Sequence, residues 1–237
     1  MSAANTHLIY VHGLWLTGRE SLFLRRRLTQ EYGYTCHVFH YPSVSATMQD
    51  VTEKLHQFTL ELARQHRVER LHFLGHSLGG LVLFRFFERY LDQPAGRVVL
   101  LGTPSVRSKA AQDLARIGWI APLIGRQVAE ELVLAREPRV WQQTREVGVI
   151  AGSRPVGLGR LFVRFDDDSD GTVAVAETKL PGATDHVVMP VSHTGMQFSA
   201  RVAGLIDKAI ELKMLQLQAE RLADIVLTPP EEEPEAT

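Results

Sequence analysis

Short apolar runs alternate with longer amphipathic segments along most of the chain. Six runs are short, rich in β-branched or aromatic residues and bounded by Gly, Pro or polar residues, as expected of buried strands. They span residues 8–11, 35–41, 71–74, 98–101, 147–150 and 187–189. Because short connectors join these runs to helical segments, the pattern predicts βαβ units on a parallel sheet rather than a fold built from hairpins.

The segments between the strands carry apolar residues at the spacing of an amphipathic helix. After the second strand the apolar residues recur every three or four positions, at Met48, Val51, Leu55, Phe58 and Leu62. A last helix is indicated by Val202, Leu205, Ile206, Ala209 and Ile210. We therefore expect an α/β fold of the α/β-hydrolase-like type, with about six mostly parallel strands and helices on both faces of the sheet.

Two segments depart from the alternation. Between about 105 and 145, Gly and Pro break the helical patterns and apolar residues cluster at 117–124, which predicts a small cap inserted in the domain. Residues 229–237 hold three Pro and four Glu and too few apolar residues to fold, which predicts a disordered acidic tail. The expected organisation is a single domain over 1–228 followed by that tail.

Composition excludes several classes of protein. The 237 residues are 45% hydrophobic, so a large core is expected, and 26 Lys and Arg against 27 Asp and Glu give no basic excess for nucleic-acid binding. The single cysteine, Cys36, cannot form an internal disulfide. Since the N-terminus lacks a secretory pattern and no run of 18 apolar residues occurs, we expect a cytoplasmic protein without a transmembrane segment. Peripheral membrane contact and the oligomeric state stay open.

Residues 75–79, Gly-His-Ser-Leu-Gly, match G-x-S-x-G between a predicted strand and a predicted helix. At that junction the motif is typical of a sharp turn that presents the serine hydroxyl above the sheet, and the glycines let neighbouring segments pass closely. The alternative is a glycine-rich turn whose serine only caps the following helix. The flanking elements favour Ser77 as a catalytic nucleophile.

A serine nucleophile requires donors for the oxyanion that forms during acyl transfer. The backbone N–H of Leu78 and that of Leu14, in the loop after the first strand, are the candidates. The alternative for that loop is an ordinary turn with a buried His12.

The nucleophile also requires a base, and the base requires an acid, both on later loops. His193 follows the last predicted strand at the edge where Ser77 should lie, whereas His186 opens that strand, so His193 is the expected base. Acid candidates are the acidic segment 166–170 and Asp185.

Several motifs together resemble a bacterial α/β-hydrolase of the lipase/esterase-like type, over nearly all of residues 7–210. They are His12-Gly13, the segment 75–80 (Gly-His-Ser-Leu-Gly-Gly), Leu-Gly-Thr-Pro at 101–104, Asp-Gly-Thr-Val at 170–173 and Ser-His-Thr at 192–194. In such lipases the acid is the Asp of an Asn/Ser-Asp-Gly segment. The resemblance therefore implies that Asp170 is the acid, in a Ser77–Asp170–His193 triad.

A calcium-loop pattern competes for the same segment. Asp166, Asp168, Asp170, Gly171 and Glu177 fit D-x-D-x-D-G-x₅-E at every fixed position. Such a loop lies between two helices, but Pro and Gly residues flank this one on both sides. The triad interpretation is preferred, and no metal is expected.

Walker-type, dinucleotide-binding and paired-histidine metal motifs are missing from the sequence, so no cofactor is expected. The leading hypothesis is a serine carboxylic ester hydrolase that acts on a small-molecule or lipid acyl ester through an acyl-enzyme. An acyltransferase or thioesterase with the same triad is the first alternative. The second is a non-catalytic binding module with a hydrolase-like fold.

Overall fold

The computed structural model describes residues 5–106, 131, 139–143, 145–156 and 168–211. Most of the predicted cap at 105–145 and the whole acidic tail at 229–237 lie outside these residues. The cap, the tail and the single-domain boundary therefore remain predictions.

Six strands form one parallel sheet in the order β2-β1-β3-β4-β5-β6. The strands are β1 (Thr6–Val11), β2 (Thr35–Phe39), β3 (Arg70–His76), β4 (Val98–Leu101), β5 (Val147–Gly152) and β6 (Asp185–Met189). This arrangement confirms the predicted α/β fold with six parallel strands. Because all strands point the same way, the loops that follow them meet at one edge of the sheet.

The limits of β4 are those predicted, and the limits of the other strands differ from the predicted ones by one or two residues. β3 continues to His76, because His76 still pairs with Leu101 of β4. β6 begins at Asp185, which pairs with Gly148 of β5. β2 ends at Phe39, because β1 ends at its partner residue Val11. Strand limits thus follow the length of the neighbouring strand rather than the length of the apolar run.

Helices cover both faces of the sheet. They are α1 (Leu22–Tyr32), α2 (Met48–Gln65), α3 (Leu78–Arg89) and α4 (Ala200–Ile210). α2 begins at a capping box in which the Thr47 side chain accepts the Asp50 N–H, and Ser199 caps α4 through the Val202 N–H. α2 packs against α3 on one face, and α1 packs against α4 on the other. Each pair encloses its own apolar core.

The three residues of the predicted triad each follow the end of a strand, namely β3, β5 or β6. Ser77 follows β3 directly, Asp170 lies in the connection from β5 to β6, and His193 lies in the loop between β6 and α4. Within the described ranges, every helix is too short or too polar to cross a lipid bilayer.

Candidate active site

Ser77 occupies a strained turn between β3 and α3. Its φ of 55° and ψ of −122° lie outside the usual regions, and Trp15 is the other described non-glycine residue with positive φ. Such a conformation costs about 1–3 kcal/mol and persists only where its surroundings hold it. Here the Ser77 N–H donates to Leu101 O at 2.9 Å, and Ser77 O accepts Gly80 N–H at 3.0 Å and Thr103 Oγ1–H at 3.1 Å. Three hydrogen bonds therefore fix the turn.

The glycines of the turn make room for this geometry. A Cβ on Gly79 would lie 2.1 Å from Val11 O, and one on Gly75 would lie 2.6 Å from Gly80 Cα. Backbone atoms cannot yield at such distances. Only glycine therefore lets α3 start so close to β1 and β3.

Asp170 is a buried carboxylate held by its own turn. Its Oδ1 accepts the N–H groups of Thr172 at 2.9 Å and Val173 at 2.7 Å, and its own N–H donates to Val173 O at 3.1 Å. These bonds fix the orientation of the carboxyl group. The second oxygen, Oδ2, is left for another partner.

That partner is His193. Its Nδ1 lies 2.6 Å from Asp170 Oδ2, and its backbone N–H donates to Asp170 O at 2.9 Å. Because the carboxylate accepts, the proton is on Nδ1 and the lone pair is on Nε2. Gly102, with φ of 53°, passes beside the pair, and a Cβ there would lie 2.9 Å from Asp170 Oδ2 and 3.0 Å from His193 Nδ1.

His76 connects this pair to the strained turn. It directly precedes Ser77, is buried, and donates from Nε2 to His193 O at 3.1 Å. The two imidazole rings are 4.7 Å apart. Burial, followed by the nearby His193, holds the pKa of His76 well below its ordinary value, so His76 is neutral. The residue before Ser77 therefore holds the backbone of His193, the expected base.

Sequence reasoning gave His76 no role. The available signal was the position of His76 directly before Ser77 in the G-x-S-x-G motif. Thr103 and Gly102, which hold Ser77 and border the acid–base pair, were likewise noted only as part of a family motif.

The loop after β1 lies against the turn. A Cβ on Gly13 would lie 3.1 Å from Ser77 Cβ. Neither Leu14 nor Leu78 donates its N–H to another residue in the described part of the chain, and Leu78 is the first residue of α3. Within the described residues, both amides thus meet the requirement that an oxyanion-hole donor has no other acceptor.

His12 fixes the start of that loop. It is buried, and its Nδ1–H donates to Gly13 O at 2.9 Å, while Nε2 accepts Tyr41 N–H at 3.4 Å. The Tyr41 hydroxyl donates to His12 O at 2.8 Å, and the two rings stack 4.3 Å apart. Burial lowers the pKa of His12, so the ring is neutral and both of its nitrogens have a partner.

The alternative acid and base lie elsewhere. Asp185 and His186 are the first residues of β6, at the sheet edge opposite to the end of β3. Asp185 Oδ1 accepts the His186 N–H at 2.7 Å, and His186 Nε2 lies 2.8 Å from Thr178 Oγ1. Neither side chain is brought to Ser77.

Two carboxylates of the calcium-loop pattern, Asp170 and Glu177, have other partners in the structure. Asp170 binds amides and His193, as above, and Glu177 Oε2 accepts the Ala174 N–H at 3.1 Å. Asp166 lies outside the described residues. Within the described residues, no three His, Cys, Asp or Glu side chains are arranged to hold a metal ion.

Comparison with known proteins gives a family match over most of the chain. The model of the alpha/beta hydrolase family matches residues 8–223. No curated protein matches the chain at the sequence level.

Solved structures share the fold at low sequence identity. A mature lipase from Bacillus licheniformis is 19% identical with a TM-score of 0.60, over 82% of this chain and 87% of the lipase. Phospholipase PlaB from Legionella pneumophila is 17% identical with a TM-score of 0.64, over 90% of this chain and 63% of that one. The thioesterase RedJ from Streptomyces coelicolor is 12% identical with a TM-score of 0.59, over 87% of this chain and 91% of that one.

Proposed function

The chain belongs to the alpha/beta hydrolase family, and on that premise we propose that it is a serine carboxylic ester hydrolase acting on acyl esters or lipids. The observation that carries the proposal is the Asp170–His193 pair, joined at 2.6 Å, on the loops beside the strained Ser77. An oriented, partly enclosed imidazole next to a strained serine is the arrangement that activates a hydroxyl for attack.

In the first half-reaction, Ser77 Oγ attacks the ester carbonyl carbon while His193 Nε2 takes its proton. Asp170 keeps the other His193 proton on Nδ1 and stabilises the imidazolium that forms. The N–H groups of Leu14 and Leu78 donate to the oxyanion. His193 then gives its proton to the leaving alkoxide, and the acyl group stays on Ser77.

In the second half-reaction, water attacks the acyl carbon and gives a proton to His193. The tetrahedral intermediate collapses, Ser77 leaves with that proton, and the carboxylic acid is released. No redox step occurs, and all proton transfers use His193. The proposal therefore requires no cofactor.

Hydrolysis of p-nitrophenyl acyl esters tests the proposal. We expect turnover by the wild type and a loss of at least about 10³-fold in Ser77→Ala, since triad residues act as a unit. Ser45→Ala, at an exposed serine, is the matched control and should keep full activity. A series of acyl chain lengths would identify the preferred ester.

The same residues would serve an acyltransferase or a thioesterase, in which an alcohol or amine accepts the acyl group or a thioester donates it. Competition between water and an added acceptor, and comparison of oxygen esters with thioesters, distinguish these activities. A protein that turns over none of them, while correctly folded, would be a binding module with this fold.

We also propose a cytoplasmic location. The single cysteine, Cys36, lies partly buried on β2 as a free thiol, and burial raises its pKa. A chain that depends on no internal disulfide suits a reducing compartment.

A further inference from the structure

Four large apolar side chains are exposed at the edge of the sheet that carries Ser77. The exposed fractions are 57% for Trp15, 43% for Leu22, 38% for Phe23 and 57% for Phe198. Trp15 lies in the loop after β1, Leu22 and Phe23 open α1, and Phe198 precedes α4. All four therefore lie where strands end and helices begin.

These side chains come from segments that are in contact. The 3₁₀ turn that ends at Phe198 contacts both α1 and the short turn Arg19–Ser21 just before it. α1 and α4 also pack side by side. Phe198 therefore lies beside the first turn of α1, and the loop with Trp15 leads directly into that turn.

Positive charge surrounds the apolar side chains. Arg19, Arg26 and Arg201 are exposed, and none of them forms an ion pair with a carboxylate that the structure describes. The first turns of α1 and α4 hold no acidic residue. Glu20, which follows Arg19 in the chain, accepts a hydrogen bond from the Tyr10 hydroxyl. We call the seven exposed residues the docking rim: Trp15, Arg19, Leu22, Phe23, Arg26, Phe198 and Arg201.

Aromatic side chains with interspersed arginines are suited to an anionic lipid surface. The rings bury in the boundary between headgroups and acyl chains, while guanidinium groups bind lipid phosphates. A second copy of this chain is a poor occupant, because two such faces would bring unpaired arginines together. An anionic bilayer matches both the apolar and the charged part of the rim.

We propose that the docking rim seats the protein on an anionic lipid surface, with the Ser77 edge of the sheet facing the lipid. The inference rests on the proposed function in one respect: if Ser77 is the nucleophile of an ester hydrolase, this orientation places it next to esters in the bilayer. Binding itself does not depend on catalysis.

Co-sedimentation with lipid vesicles tests the proposal in the Ser77→Ala protein, so that no lipid is consumed. We expect binding to phosphatidylcholine vesicles that contain phosphatidylglycerol, little binding to phosphatidylcholine alone, and release at raised salt. Arg19→Gln with Arg26→Gln should weaken binding by about 30-fold, since each arginine near an anionic surface contributes about 1 kcal/mol. Phe23→Ser with Phe198→Ser should weaken binding by at least about 10-fold.

Leu60→Ser with Leu91→Ser is the matched control, because these side chains are 45% and 66% exposed on other parts of the surface. The control should bind vesicles as the parent does. Rim variants that bind as the parent does, or a parent that does not prefer anionic vesicles, would overturn the proposal. So would a dimer in light scattering that the rim substitutions dissociate, because a second copy would then cover the rim.

A second readout separates this inference from the proposed function. With Ser77 intact, the rim variants should hydrolyse a water-soluble ester at the parental rate. If the parent binds anionic vesicles through the rim but hydrolyses no ester, the proposed function fails and the docking surface stands. If it hydrolyses soluble esters but ignores vesicles, the docking surface fails alone.

Discussion

Replacing Asp170 by Asn should abolish most activity because the structure dictates which way the new amide faces. Oδ1 of Asp170 accepts the N–H groups of Thr172 and Val173, at 2.9 and 2.7 Å. An Asn side chain must place its oxygen there, because an NH₂ group would meet two donors. Its NH₂ group therefore faces His193 Nδ1, which Asp170 Oδ2 contacts at 2.6 Å in the parent.

An NH₂ group at that place donates to Nδ1, so the His193 proton moves to Nε2. His193 then has no lone pair for the Ser77 proton, and it loses the negative charge that stabilises its imidazolium. We expect kcat to fall by about 10²- to 10⁴-fold, equivalent to about 3–5 kcal/mol of transition-state stabilisation. KM should change little, because the amide does not touch substrate.

The assay is hydrolysis of a soluble p-nitrophenyl ester, with kcat and KM measured separately and folding checked by circular dichroism. Asp168→Asn and Asp185→Asn are the matched controls. Asp168 lies in the same acidic segment as Asp170, and Asp185 is the acid candidate outside that segment. Near-parental kcat in a folded Asp170→Asn protein would refute the reasoning. A large loss in either control would assign the acid to that residue.

Four further outcomes are expected. His76→Leu removes the donor to the backbone of the base and should lower kcat/KM by about 10-fold, whereas His76→Gln, which can place an N–H at the same position, should recover most of it. Gly79→Ala, whose Cβ would lie 2.1 Å from Val11 O, should prevent soluble expression or sharply lower Tm, whereas Gly204→Ala in α4, with 3.2 Å to its nearest neighbour, should not. Burial lowers the pKa of His72 from its ordinary value of 6.5 to about 3. When the pH falls below 6.5, the unfolded state therefore binds more protons at His72 than the folded state does. The contribution of His72 to the free energy of unfolding should therefore fall by about 2 kcal/mol from pH 7 to pH 5, and His72→Asn should reduce the pH dependence in urea titrations by that amount. Millimolar calcium should leave Tm unchanged, because the Asp170 and Glu177 carboxylates already have partners, whereas calcium at about 100 times the dissociation constant of a site would add about 2.7 kcal/mol.

Much of the fold could be predicted because the strands are buried on both faces. A run such as 98–101 is apolar throughout, and β4 has those same limits. The limits of β2, β3 and β6 could not be predicted, because the neighbouring strand determines them. The apolar pattern of a segment indicates that it is buried, whereas the end of a strand depends on where its hydrogen-bonding partner strand ends.

Some residues of the candidate site could likewise be predicted from the sequence, and others could not. The positions of Ser77 and His193 follow from motif and strand order, because both lie where a strand ends. Asp170 needed a family resemblance, since five acidic candidates were available in sequence. The contact from His76 to the His193 carbonyl joins residues 117 positions apart, and no local pattern encodes such a bond.

The most direct test of the central claim is covalent labelling with a fluorophosphonate probe, followed by mass-spectrometric mapping of the adduct. The account predicts one adduct, on the peptide that contains Ser77, with labelling lost in Ser77→Ala and greatly slowed in His193→Ala. Ser45→Ala should label as the parent does. An adduct on any other residue, or no labelling of the folded parent, would contradict the assignment of Ser77 as an activated nucleophile.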